Sequence, residues 1–122
     1  MDDRPLTDEE RVLARWMLEH GTLDAPSFLP QLDAARVVGR CSCGCASVDL
    51  AVEGRPSTAG GPFGVLGDFL YGDGAGLWGI FIFERNGILA GLEVYALNGD
   101  TPARLPAPDS LRLWDCDPPS AS

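Results

Sequence analysis

The residues most suited to chemistry form one short cluster, Cys41-Ser42-Cys43-Gly44-Cys45. In an extended segment, residues two apart point the same way, so three sulfurs would lie in a row. A bend at Gly44 would instead bring them together. Thiolates grouped in this way suit Zn(II) or Cu(I). Tetrahedral zinc needs a fourth ligand, and the only other cysteine in the chain is Cys116.

The spacing of this cluster leaves three interpretations open. Zinc sites usually contain a pair of cysteines with two residues between them (C-x₂-C) and a second pair downstream, and this chain lacks both. A redox C-x-x-C motif is also absent. The cluster is therefore a structural metal site, a set of packed cysteines without metal, or a reactive thiol favoured by the neighbouring Arg40. The last interpretation requires a positioned base, and the sequence indicates none beside the cluster.

A second candidate site lies on a predicted hairpin. Asn86-Gly87 joins two apolar runs, 77–85 and 88–97, and such a pair favours a type I′ turn. Strict alternation from that turn pairs Glu93 with Ile80 and Tyr95 with Trp78. Glu93 and Tyr95 are then candidate acid–base residues in an apolar pocket. The alternative is that the carboxylate forms an ion pair, for which the candidates are Arg40, Arg104 and Arg112.

Both faces of this hairpin are apolar. Alternation puts Phe81 and Phe83 on one face, and Ile80 and Ile82 on the other. One face can cover the main core. The other must be covered by the helices, a second subunit or a ligand, unless the strands are buried on both sides in the usual way.

The remaining elements follow from capping residues and periodicity. Thr7 and Glu10 form a capping box that starts a helix over 8–20, which Gly21 ends. A second short helix is predicted over 27–35, and strands over 36–40, 47–53 and 63–71. Residues 111–114 form a final short strand or an apolar clamp. These elements predict an α+β fold, with two N-terminal helices packed on a four- to five-stranded, mainly antiparallel sheet. Residues 1–122 would form one domain, with 1–6 and 117–122 flexible.

The charge balance restricts the partners. The chain has 9 basic and 18 acidic residues and a formal charge of −9, and every basic residue is an arginine. Nucleic acid and anionic membranes are poor partners for such a chain, whereas a basic protein suits it. The N-terminus has no signal-peptide pattern and no apolar run is long enough for a membrane span, so we expect a cytoplasmic protein, monomeric or homodimeric.

Three segments resemble a group of small, mainly actinobacterial proteins of uncharacterised function. They are the acidic helix start Thr7-Asp8-Glu9-Glu10, the C-x-C-G-C segment with its continuation to Asp49, and Leu92-Glu93-Val94-Tyr95. Ala46 stands where the pattern would have proline. The resemblance covers about residues 7 to 115 and implies one domain and no particular activity.

The sequence is compatible with three different functions. The leading hypothesis is a non-enzymatic binding protein, such as an immunity or antitoxin-like partner of a basic protein. The second is a metal–thiolate protein that uses the four cysteines. The third is a small biosynthetic enzyme with its pocket on the Trp78/Glu93/Tyr95 face; the sequence leaves open whether the chain is an enzyme.

Overall fold

The computed structural model describes residues 4–40, 47–54, 63–73, 76–97 and 105–113. The fold is α+β, as predicted. Its two helices are α1 (Asp8–His20) and α2 (Leu29–Leu32), and short 3₁₀ helices span Ala25–Phe28 and Pro108–Ser110. The described strands are β1 (Arg4–Pro5), β2 (Ala35–Arg40), β3 (Val48–Val52), β4 (Phe63–Asp73), β5 (Gly76–Arg85), β6 (Ile88–Ala96) and β7 (Arg112–Leu113).

The strands form one antiparallel sheet in the order β1-β2-β3-β6-β5-β4-β7. The prediction of four or five strands was too low. Strand β7 lies within 111–114, which the sequence left open as a short strand or a clamp, and β1 has only two residues, too few for an alternating pattern to reveal it. The described helices are too short and too polar to serve as membrane spans.

Helix α1 begins and ends where the sequence indicates. The Glu10 amide donates to Thr7 Oγ1 at 3.1 Å, and the Thr7 amide donates to Glu10 Oε1 at 2.9 Å, which completes the capping box. Arg4 donates to both carboxylate oxygens of Glu10 at 2.9 Å. Residues 1–6 were expected to be flexible, yet Arg4–Pro5 pair with β2 and Leu6 is buried. The capping carboxylate therefore also holds β1 against α1.

A bulge in β4 receives the end of α1. The β4–β5 register shifts between Val65 and Gly67, and the Leu66 carbonyl accepts a hydrogen bond from the Thr22 amide at 2.8 Å. A Cβ atom at position 21 would overlap that carbonyl oxygen. Gly21 is therefore required by this close approach, since its φ of −89° is open to other residues.

The second helix is shorter than the predicted 27–35. The chain forms the 3₁₀ helix Ala25–Phe28 and then the single turn of α2, after which β2 begins at Ala35. The Gln31 side chain binds the hairpin, since Nε2 donates to the Gly87 carbonyl and Oε1 accepts from the Leu89 amide, each at 2.9 Å. This amide clamp fixes α2 to the turn between β5 and β6.

The core lies between the helices and one face of the sheet, which we call the covered face. Helix α1 contributes Leu13, Met17 and Leu18 to it. The largest fully buried side chains from the sheet are Phe69, Ile80, Ile82, Leu89, Leu92 and Val37. The buried apolar side chains of the described helices all belong to this cluster. In the described part of the chain, no helix therefore packs on the opposite face, which we call the open face.

The predicted hairpin register is correct only near the turn. Arg85 pairs with Ile88 and Glu84 with Leu89, as expected, and the register then shifts by one residue so that Phe83 pairs with Gly91. Glu93 consequently pairs with Phe81 instead of Ile80. The predicted neighbours of Glu93 and Tyr95 were wrong because a bulge moves both residues to the other face of the sheet.

Candidate functional site

Four aromatic rings form a continuous cluster on the open face. Phe63 lies 5.5 Å from Phe83 and 6.5 Å from Phe81, measured between ring centroids. Phe81 lies 5.6 Å from Phe83 and 6.0 Å from Tyr95. Phe63 is 54% exposed, and the adjacent Val65 is 41% exposed. We call Phe63, Phe81, Phe83 and Tyr95 the aromatic cluster. Phe83 is buried within it, whereas Phe63 is exposed and Phe81 and Tyr95 are partly exposed, so these three present apolar area to solvent.

Two glycines let rings of this cluster lie across neighbouring strands. Phe83 pairs with Gly91, and a Cβ atom at position 91 would come within 2.8 Å of the Phe83 ring. Tyr95 pairs with Gly79, where a Cβ atom would overlap the Tyr95 ring. The missing side chains therefore leave room for both rings to cover the sheet backbone.

The ring of Tyr95 crosses Gly79 on β5 and reaches β4. Its hydroxyl donates a hydrogen bond to Asp68 Oδ1 at 2.7 Å. Partial burial raises the pKa of Asp68 above its ordinary value of 3.8, and the hydrogen bond from Tyr95 opposes that rise. The hydroxyl thus holds the carboxylate in place and helps to keep it ionised.

Two carboxylates flank one ring. Asp68 on β4 and Glu93 on β6 are the cross-strand partners of Phe81. We call these three residues the acid–aromatic row. Directly opposed residues in antiparallel strands have Cβ atoms about 4.5–5.5 Å apart, so the two acidic side chains start on either side of Phe81, within reach of its ring. The row depends on both bulges, because each shifts one acid onto the face that Phe81 occupies.

At the end of the aromatic cluster away from Tyr95, an arginine side chain lies over two of the rings. The guanidinium carbon of Arg85 lies 5.3 Å from the ring centroid of Phe63 and 5.7 Å from that of Phe83. Both distances are within the range of cation–π attraction. Aromatic rings of the open face therefore already bind the guanidinium of Arg85.

The predicted pocket on the Trp78/Glu93/Tyr95 face is not formed as expected. Trp78 packs against the core on the covered face, with its ring 5.6 Å from Tyr71. Glu93 is exposed on the open face, with Tyr95 two residues further along the same strand. The structure thus brings Glu93 and Tyr95 together and separates both from Trp78. Their catalytic roles stay predictions.

A separate concave region lies beside the start of α1. Its volume is about 400 Å³, and it is lined by Asp8, Glu9, Val12 and the segment from Leu105 to Pro108. Neither Glu93 nor Tyr95 borders it. This cavity therefore offers no support for the predicted acid–base pair.

The four cysteines lie outside the described residues. Cys41, Cys43, Cys45 and Cys116 fall in 41–46 and 114–122. Within the described ranges, no group of three His, Asp or Glu side chains is placed to hold a metal ion. The metal–thiolate hypothesis, with Zn or Cu(I), stays a prediction. Native mass spectrometry of thiol-protected protein tests it, since less than about 0.1 equivalent of metal would contradict the tight binding of such sites.

The sequence prediction missed Asp68 as a site residue. Its partner Tyr95 is 27 positions away, and their contact depends on the bulge that turns Asp68 toward the open face. The available signal was weak: an acid inside the otherwise apolar and glycine-rich run Phe63–Tyr71.

Comparison of the chain with protein-family models, curated proteins and solved structures found no match. The resemblance to small actinobacterial proteins therefore stays an expectation.

Proposed function

We propose that the chain is a non-enzymatic binding protein that contacts a basic protein partner through the open face. The observation that carries the proposal is the partly exposed aromatic cluster on a sheet face without helices in the described part of the chain. Exposed apolar patches rimmed by polar residues mark interaction sites, and aromatic residues are enriched in protein interfaces.

Charge supports a basic partner. The formal charge of −9 attracts a basic protein and disfavours association with a second copy that carries the same charge. On the open face, the half-buried Asp68 and the exposed Glu93 lie opposite Phe81, and the exposed Asp49 lies opposite Gly91. An immunity or antitoxin-like role in the cytoplasm is the form of the proposal that accounts for small size and acidity together.

The test compares capture from native lysate by three immobilised proteins. The first is the wild-type chain. The second is Phe63→Ser/Glu93→Lys, which alters the open face. The third, Leu23→Ser/Glu19→Lys, makes matched changes in charge and apolarity near the end of α1, where Leu23 is 101% exposed.

We expect at least one basic protein to be retained by the wild type and the α1 variant and lost with the open-face variant. Mass spectrometry identifies that protein, and its calculated isoelectric point checks its charge. Equal capture by all three baits, or selective loss of acidic proteins alone, would contradict the proposal.

A further inference from the structure

The acid–aromatic row has the composition of a cation site. Phe81 offers a partly exposed ring, and its two cross-strand neighbours are carboxylates. A cation above the ring would have one carboxylate on each side. Because ring attraction and two charge-assisted hydrogen bonds converge there, the row suits a positively charged side chain.

Tyr95 organises this row. Its ring lies 6.0 Å from Phe81 at an interplanar angle of 48°, and its hydroxyl fixes Asp68 at 2.7 Å. The two rings therefore form an inclined pair with a positioned carboxylate at its border. This arrangement exists without ligand, so little reorganisation is needed on binding.

The open face already contains a guanidinium stacked on aromatic rings. Arg85 lies over Phe63 and Phe83 at one end of the aromatic cluster. At the other end, Glu93 makes no ion pair or side-chain hydrogen bond within the described ranges, and the hydrogen-bond partner of Asp68 there is the neutral Tyr95. The acid–aromatic row therefore has negative charge that a cation from outside can balance.

We infer that the acid–aromatic row binds an arginine side chain of the basic partner. A guanidinium is planar, stacks on an aromatic ring and carries five N–H donors, so it can contact both carboxylates while it lies over Phe81. A lysine ammonium is compact and more strongly hydrated, which suits this row less well. The inference rests on the proposed function and names the contact that gives it specificity.

The test uses NMR titration of the full chain with three capped five-residue peptides. They differ only at the central residue, which is arginine, lysine or the neutral isostere citrulline. The arginine peptide should shift the backbone amide signals of Asp68, Phe81, Glu93 and Tyr95. The initial slope of each shift against peptide concentration reports binding without saturation.

We expect the lysine peptide to bind about two- to fivefold more weakly and the citrulline peptide to give no shifts at these residues. Asp68→Asn and Glu93→Gln should each weaken arginine binding about two- to fivefold, as expected for loss of one partly exposed ion pair. Glu19→Gln, at the exposed end of α1 and outside the open face, is the matched control and should bind like wild type. Dispersed amide spectra confirm that each variant is folded.

Equal slopes for the arginine and lysine peptides, shifts elsewhere on the chain, or wild-type affinity in both row variants would overturn the inference. Capture of the basic partner by Asp68→Asn/Glu93→Gln at the wild-type level, together with its loss in Phe63→Ser, would overturn the arginine site and leave the proposed function intact. Absence of selective capture by the wild type would overturn the proposed function separately.

Discussion

At the scale of single residues, Tyr71 and Tyr95 show what the two faces of the sheet do to the same side chain. Tyr71 is buried on the covered face, and its hydroxyl has no hydrogen-bond partner within the described part of the chain. Burial raises the pKa of Tyr71 to about 12. Tyr95 lies on the open face and donates to Asp68. The open-face hydroxyl is thus the one placed to affect a neighbouring charge.

The titration of Asp68 tests that difference. Tyr95→Phe removes a hydrogen bond that favours the carboxylate, so the pKa of Asp68, already above 3.8, should rise further. Tyr71→Phe removes a hydroxyl that does not contact Asp68 and should leave its titration unchanged. Carboxyl-carbon NMR shifts recorded against pH measure both. A fall in the pKa of Asp68 in Tyr95→Phe would contradict the arrangement.

The raised pKa also has a consequence for stability. The folded chain holds the Asp68 proton more tightly than the unfolded chain does. Ionisation of Asp68 therefore lowers the free energy of unfolding as the pH rises from the unfolded-state pKa near 3.8 through the higher folded-state pKa. Below that window the cost is absent. A cation bound to the ionised Asp68 would offset this loss of stability.

At the scale of elements, Glu10 joins β1, the α1 cap and Arg4. Glu10→Gln should lower the free energy of unfolding by about 1–2 kcal/mol at pH 7, because it removes a charged hydrogen-bond acceptor that is 7% exposed. The Arg4 guanidinium holds the pKa of Glu10 below 4.5, against the opposing effect of burial. Its contribution is therefore present above pH 4.5 and lost as the pH falls through the lowered folded value.

Urea unfolding at pH 7 and pH 3 measures this contribution. The difference between wild type and Glu10→Gln should shrink at the lower pH, where the wild-type carboxyl becomes protonated. Glu9→Gln, on the exposed side of the same helical turn, is the control and should change the free energy of unfolding by less than about 0.5 kcal/mol. Equal losses in the two variants would show that Arg4 adds nothing specific.

The elements could be predicted from the sequence to the extent that their signals are local. The α1 bounds follow from Thr7, Glu10 and Gly21, and the β5–β6 turn follows from Asn86-Gly87, where both residues have positive φ. The bulges in β4 and β6 have no such signal, because one extra residue in an apolar strand changes no local pattern. The sequence therefore predicted the hairpin but not which face holds Glu93, and the whole acid–aromatic row was missed.

At the scale of the whole molecule, the described part of the chain is one-sided, because apolar residues occupy both faces of the sheet and the described helices cover only one. Period-two patterning already indicated that the second face needs a cover. The charge of −9 favours a basic protein over a second copy of the chain on this face, because two copies with the same charge repel each other. Apolarity and charge are thus both consistent with the basic partner proposed for the open face.

One-sidedness predicts unequal costs for two phenylalanines on the same strand. Phe69 is fully buried on the covered face, with its ring 5.1 Å from Trp16, and Phe63 is 54% exposed on the open face. Phe69→Ala should lower the free energy of unfolding by about 3–5 kcal/mol, and Phe63→Ala by less than about 1 kcal/mol. Urea midpoints at equal m-values measure both. Comparable losses would mean that the open face is a second core, and a binding surface would then have to lie elsewhere. A small loss at Phe63 together with loss of partner capture would show that its ring serves binding more than folding.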